Sequence, residues 1–382
     1  MERHQKDPTI SDYKTTKSHL IRFSKNDPQP IPGITDYLWK DYCPAVFSRI
    51  LQLGDVDSAD YIPTVCCDET LNLIFQSRGK SGSLLFLSKD LRFVIKTVRK
   101  SELKVCLDFL PNYYRHVKKN ESSLLTKVYG LHVVTAIGVG GCKCYFVVMS
   151  NAMQTDMSLD KYFDLKGTAK GRTLDKEVGH DKKVIHKDQD LEYSFYLHPL
   201  LRTRILGQIK YDCEFLEAEN IMNYSLLLGI HFETSSEVTE CSLDGTSTSS
   251  TKDEISENDE DADDSVDTVD TELTFADLYS SPDRFDHRFG VQMPARALQH
   301  PLHETGSTPT HRKAKAEECQ DVTLCVAIVD LLKHYNMTKR FEHAYKSIQF
   351  DSKSISCVNP KAYSSRFLEF CSNILREDIE LE

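Results

Sequence analysis

A chain of 382 residues, 40% hydrophobic and 27% charged, has ordinary globular composition with room for two or three domains, which excludes a fibrous or wholly disordered protein. No apolar run approaches the ~20 residues that span a bilayer, and the opening "MERHQKDPTISDYKTTK" lacks a signal-peptide core, so a reducing intracellular compartment is expected. The net charge of −11 is uneven: residues 233–318 hold 21 acidic and 7 basic residues, which leaves the rest of the chain near +3 and free to approach an anionic surface.

Taken in order, residues 1–35 read as a polar N-terminal tail. The strand-type runs "LNLIFQS", "SLLFLS" and "RFVIKTV" follow, with turn residues between them. "SELKVCLDFL" is a helix expected to stop at Pro111. "LHVVTAIGVGGCKCYFVVM" gives two more strands around a Gly-Gly turn. "LLRTRILGQIKYDCEFLEAENIM" carries Leu201, Ile205, Ile209, Cys213 and Leu216 at three- and four-residue spacing, the core-facing stripe of a helix. "ENIMNYSLLLGIH" then reads as a helix end, a tight polar turn centred on Asn223 and an apolar strand. Residues 238–316, rich in Ser, Thr, Asp and Glu, cannot bury enough apolar surface to offset ordering entropy and are expected to be largely disordered. Structure resumes at "DVTLCVAIVDLL", so this insertion interrupts one fold. The twelve cysteines are scattered, and neither Cys66-Cys67 nor Cys142-x-Cys144 has zinc-site spacing, so free or buried thiols are expected.

Some of these pieces bear on chemistry. The turn from Gly79 to Ser83, with Ser81 and Gly82, lets backbone N–H groups approach phosphates, although such hairpins are common. On the strand after it, Val94, Lys96 and Val98 share a face. A lysine between valines suits either reach beneath the Gly-rich turn to nucleotide phosphates or snorkelling from an edge strand. Glu102, on the next helix, is placed to pair with it. Asp330 closes "LCVAIVD", as a hard ligand for Mg²⁺ or as the cap of a helix beginning at Leu331. In this order the pieces are those of phosphoryl transfer.

The chain resembles the phosphatidylinositol phosphate kinases, most of all the plant-type phosphatidylinositol 4-phosphate 5-kinases, from "DYLWKDYCPAVF" to the C-terminus apart from the insertion. "GKSGS", "FVIKTV", "LPNYYRHV", "FDLKGTAKGR", "FLEAENIMNYSLLLGIH", "IVDLL" and "NMTKRFEHAYKSIQFD" carry the resemblance. It implies an α/β (α+β), two-lobed kinase-like fold, with an N-lobe over 36–150 and a C-lobe over 151–382 that the acidic insertion interrupts. ATP and Mg²⁺ are the implied cofactors, and phosphatidylinositol 4-phosphate in an anionic membrane surface is the implied partner. No nucleic-acid partner is expected, and a homodimer is compatible with the resemblance. The implied location is cytoplasmic, peripheral to the cytosolic face of membranes, the plasma membrane first.

Residue by residue, the resemblance makes Lys96 the ATP-phosphate lysine, Glu102 its partner, and Met149 to Asn151 the hinge beside adenine. Asp164, Lys166 and Gly167 match the family's Asp-Leu-Lys-Gly motif, and Asp330 the metal aspartate. Lys339 and Arg340 match a basic pair for lipid phosphates, and Glu342 the residue of the 4-phosphate 5-kinase type. No His-Arg-Asp or Asp-Phe-Gly tripeptide of protein kinases occurs. At Asn223 the family motif has its catalytic aspartate. An amide orients a hydroxyl but takes no proton, and acid–base participation contributes ~10²–10⁴-fold. Reduced transfer with nucleotide binding retained is the expectation, and a pseudokinase that regulates partners is the alternative.

Overall fold

The computed structural model describes residues 6–22, 34–66, 71–76, 83–138, 142–168, 172–173, 184–233, 290–300, 319–335 and 359–378. Runs of β-branched and aromatic residues build two seven-stranded sheets. The first contains β1 (Thr16–Arg22), β2 (Ile34–Tyr42), β3 (Leu71–Gln76), β4 (Leu84–Ser88), β5 (Phe93–Val98), β6 (Val128–Gly138) and β7 (Lys143–Ser150). They lie in the order β1-β2-β6-β7-β5-β4-β3, every neighbour antiparallel. Helices α1 (Pro44–Leu53), α2 (Ser58–Cys66) and α3 (Lys100–Lys119) accompany it.

The second sheet contains β8 (Lys161–Leu165), β9 (Ile185–Lys187), β10 (Tyr193–Leu197), β11 (Ser225–Phe232), β12 (Val291–Gln299), β13 (Cys319–Val329) and β14 (Leu375–Glu377). Its order is β14-β10-β12-β13-β11-β8-β9, parallel only at the two outer pairings. Helices α4 (Pro199–Ala218) and α5 (Pro360–Ile374) pack on each other and on β14. This is the expected two-lobed α/β arrangement, and one contiguous apolar core runs through both lobes. No helix among the described residues is long and apolar enough to cross a membrane.

Four of the five α4 stripe residues, Ile205, Ile209, Cys213 and Leu216, are buried as the spacing predicts, and Leu201 at the start of the helix is partly buried. Three expectations need correction. The tail over 1–35 contributes β1, paired with β2 from Thr16↔Tyr42 to Arg22↔Asp36. Every β1 residue is exposed, so it has no apolar alternation to betray it. The helix does not stop at Pro111, because α3 runs through it to Lys119. Proline removes a donor and crowds the previous turn, a cost of ~3 kcal/mol, which burial of Phe109, Leu110, Tyr113, Tyr114 and Val117 offsets. The stretch 238–316 includes β12, whose Met293, Ala295 and Ala297 point alternately into the core. Its strand period is concealed by the acidic composition averaged around it.

The lobes are fastened to each other by buried polar contacts. His116 of α3 places Nε2 2.6 Å from Oδ1 of the fully buried Asp212 of α4, and its ring stacks on Phe215. Asp212 also accepts Ser123 Oγ at 2.8 Å and Leu124 N at 2.8 Å. Further along α3, Asn112 Nδ2 donates to Glu219 at 2.6 Å. Backbone continues the seam: Thr126 N donates to Ile328 O at 2.9 Å and Ile328 N to Leu124 O at 2.7 Å.

Removing one member of a buried, hydrogen-bonded pair leaves the other uncompensated. Asp212→Ala is expected to cost about 3–5 kcal/mol of unfolding free energy, and Asp212→Asn, which keeps an acceptor, clearly less. Urea unfolding followed by the fluorescence of Trp39, the one tryptophan, measures both.

Candidate active site

β11 pairs with β8 through Leu226↔Leu165 and with β13 through Ser225↔Val329. The residues leaving β8, entering β11 and leaving β13 therefore gather at one end of the second sheet. There the chain turns sharply: Gly167, Asn223 and Asp330 have φ of 67°, 66° and 67°. Asparagine and aspartate tolerate this left-handed conformation better than other side chains. At Gly167 a Cβ would also stand 2.9 Å from Phe370 Cβ, so glycine is required twice over.

Lys96 of β5 reaches across from the first sheet. Its Nζ lies 2.7 Å from Asp330 Oδ1, and Lys166 Nζ lies 3.5 Å from Asp330 Oδ2. Lys166, 7% exposed, also donates to the backbone carbonyl of Asn223 at 2.9 Å. The loop holding Asn223 is pinned on other sides. Met222 N donates to Lys333 O and Tyr335 N to Asn220 O, each at 2.9 Å, and Tyr363 OH donates to Tyr224 O. The Tyr224 ring sits edge-on to Tyr363 and Phe367.

Burial opposes the charge on Asp330, but Lys96 and Lys166 outweigh it and hold the carboxyl well below the usual carboxylate range. Burial likewise opposes the Lys96 ammonium, and Asp330 more than offsets this, leaving it above the ordinary lysine value. The two groups stay ionised throughout the neutral range. No helix begins at Leu331, where the chain forms a turn, so Asp330 is not a helix cap.

The expected Lys96–Glu102 pair is replaced. Glu102 accepts from Arg99 N at 2.9 Å as a cap of its own helix and pairs with Lys333, while Lys96 takes Asp330. Sequence order places Glu102 within range of Lys96 but cannot reveal that Lys333, 231 residues away, is nearer. The charge of Glu102 still acts on Lys96.

Met149 and Ser150 end β7, and buried Asn151 follows, its N donating to Arg92 O at 2.9 Å and its Nδ2 to Leu91 O at 2.7 Å. Gln76↔Leu84 and Leu85↔Lys96 bring the end of β3 and the start of β4 beside the Lys96 row. Of the connection between them Ser83 is described, and Gly79, Ser81 and Gly82 lie outside the described residues, as do Lys339, Arg340 and Glu342.

A divalent cation fits the donors present. Asp330 is ionised, and Asp164 Oδ1 is buried with no hydrogen-bond partner among the described residues. The charge of Asp164 reaches Lys96. No group of three or more His, Cys, Asp or Glu is gathered among the described residues, so a metal held here would complete its shell with ligand oxygens, as Mg²⁺ does with phosphates. Sequence reading missed four contributors: Lys333, Tyr363, Arg172 and Asp188. Each acts through tertiary contact, and "GR" within "FDLKGTAKGR" is the one sequence hint.

Residues 65–374 match the family model described as Phosphatidylinositol-4-phosphate 5-Kinase. The chain belongs to this family. It is 39% identical to the putative phosphatidylinositol 4-phosphate 5-kinase 11 of Arabidopsis thaliana, over 94% of the chain and 96% of the relative. It is 38% identical to phosphatidylinositol 4-phosphate 5-kinase 10 of the same plant, over 97% of each. Identity to phosphatidylinositol 4-phosphate 5-kinase 9 is 41%, over 90% of the chain and 44% of that longer relative. Family membership and the two-lobed architecture agree with the resemblance read from the sequence.

The ion pairs of this family member give a signed pH expectation. The depressed carboxyl of Asp330 contributes stability present above the unfolded value of ~3.9 and lost as pH falls toward its folded value. The raised ammonium of Lys96 contributes stability present below ~10.4 and lost as pH rises through its folded value. Asp330→Asn should therefore lower Tm by a constant amount from about pH 5 to about pH 9, with the gap closing in acid. Scanning calorimetry across pH checks this, and a gap that widens in acid contradicts it.

Proposed function

We propose that the chain transfers the γ-phosphoryl group of ATP to the 5-hydroxyl of phosphatidylinositol 4-phosphate, giving phosphatidylinositol 4,5-bisphosphate and ADP, at a rate held down by Asn223. The convergence of Lys96, Lys166, Asp330 and the Asn223 turn is the observation that carries this reading. Phosphoryl transfer depends mainly on positioning and electrostatic stabilisation, which this set is equipped to supply. The names of the Arabidopsis relatives support the substrate, and Glu342, with Lys339 and Arg340, agrees with it.

In this mechanism Lys96 binds the phosphates, with Gly79, Ser81, Gly82 and Ser83 as the assigned phosphate-contacting residues. Asp330, with Asp164, would hold Mg²⁺, which would supply charge neutralisation at the phosphates. Met149 to Asn151 border the base. Lys166 fixes the Asn223 turn through its carbonyl and lends positive charge toward the transferred group. The lipid hydroxyl oxygen forms the new bond to the γ-phosphorus as the bond to the β-bridging oxygen breaks. Asn223 orients that hydroxyl through its carboxamide oxygen, and the proton leaves to the transferred phosphoryl oxygens or to water, because no carboxylate stands at this position. Action at the cytosolic face of a membrane, by peripheral attachment, belongs to the same proposal.

A second reading is a pseudokinase that holds nucleotide or phosphoinositide and regulates partners. Asn223 itself favours it, since the binding groups are retained and the proton acceptor is not. Transfer from radiolabelled ATP to phosphatidylinositol 4-phosphate in vesicles separates the two. Asn223→Asp should raise the rate by ~10²–10⁴-fold, and the left-handed backbone at this position suits either residue. A slow natural rate supports the reduced kinase, and activity confined to the variant supports the pseudokinase. Equal and robust rates from both chains would remove the role assigned to Asn223. Mg-ATP should raise Tm of both, since a ligand that binds the native state alone stabilises it.

A further inference from the structure

Lys166 does its work from an unusual place. It stands at the left-handed turn after β8, 7% exposed, with its ammonium aimed at Asn223 O and Asp330. Something must hold the backbone there, because a turn of this kind has no sheet ladder to support it. A short 3-10 turn, Asp188–Asp190, follows β9, and the carboxylate that opens it meets the β8 turn directly. Asp188 Oδ1 accepts Lys166 N–H at 2.8 Å and Thr168 N–H at 3.1 Å, on either side of Gly167. Its Oδ2 accepts Arg172 Nε at 2.6 Å, and the Arg172 guanidinium continues to the carbonyl and carboxylate of Asp164. The Asp188 side chain is 5% exposed.

We infer that Asp188 is a positioning residue for phosphoryl transfer, clamping the 166–168 turn so that the Lys166 ammonium reaches the Asn223 loop and Asp330. Two backbone donors converge on one carboxylate oxygen, a charge-assisted arrangement stronger than neutral hydrogen bonds. Arg172 balances the buried charge and ties the clamp to Asp164. Without the clamp, both N–H groups lose their acceptor and the long Lys166 side chain starts from a loose base. Displacements of this order matter, since misplacement by about 1 Å can cost 10²-fold in rate. The catalytic part of this inference rests on the kinase reading above, and the geometric part does not.

Two measurements test it. In the first, the full chain and its Asp188→Ala and Asp188→Asn variants are treated with a dilute acetylating ester, and lysine labelling is read by mass spectrometry. Asn keeps an oxygen for the two N–H groups, so it separates the clamp from the charge. Lys166 should be labelled about tenfold faster in Asp188→Ala, near the natural rate in Asp188→Asn, with exposed Lys210 unchanged. Unaltered Lys166 labelling in Asp188→Ala overturns the clamp, as does equal acceleration in both variants.

In the second, vesicle kinetics are measured in the Asn223→Asp background. Asp188→Ala should lower kcat by about 10- to 100-fold, with KM for ATP within about threefold. It should add nothing to the loss from Lys166→Met in the double variant, as expected of residues acting through one group. Additive losses, or a lowered Tm with unchanged kcat, assign Asp188 a merely structural role. Absence of transfer from Asn223→Asp itself would defeat the kinase reading, while the labelling result still decides whether Asp188 holds Lys166.

Discussion

The ionised carboxylate of Asp330 is the point on which the two lobes agree. It receives Lys96 from one sheet and Lys166 from the other, and each lysine would lose its carboxylate partner without it. Three neighbouring lysines act on it together, Lys333 among them, and Glu102 and Asp164 complete a cluster of alternating sign. In such a cluster each charge already has a partner of opposite sign, which limits what burial costs it.

What makes the junction possible is ordinary β-sheet register. One residue of slip between β11 and β13 would turn the core-facing side chains of one strand to the other face and carry Asn223 and Asp330 out of step. The register is held because Leu226, Leu228, Ile230, Leu324, Val326 and Ile328 share the main apolar core, while the alternate Cys325 and Ala327 pack in a smaller one. At the ends of these strands three left-handed residues release the chain from the ladder. The polar groups so released are then gathered by Lys166, Tyr363 and Asp188. Core packing thus sets where the chemistry can be, and a few long-range hydrogen bonds set how firmly.

Much of this could be read in the sequence, and what could not has a common cause. The α4 stripe, the β4 and β5 runs and the ending of β13 at Asp330 are local patterns whose period or final residue is visible in a short window. Lys96 stood out because a cation between valines contradicts its surroundings, and Asn223 because an amide occupies the centre of an otherwise complete loop. Partnerships were hidden. Glu102 pairs with Lys333 and not with Lys96, Asp188 clamps a turn 20 and 22 residues upstream, and His116 meets Asp212 across 96 residues. β1 escaped because both of its faces are wet, β12 because acidic neighbours masked it, and α3 passed Pro111 because tertiary burial exceeded a local penalty.

Ser123, Leu124 and Thr126 belong by sequence to the first lobe, yet they bond to the second. Ser123 and Leu124 hold Asp212, Leu124 and Thr126 share backbone bonds with Ile328, and Lys127 holds the end of β7. A boundary drawn at residue 150 would cut through this weave. A fragment ending there would keep donors whose acceptors had gone, and the complementary fragment would carry Asp212 as a bare charge facing water. The halves are lobes in outline but share one buried hydrogen-bonded seam, so neither is expected to keep its full stability without the other.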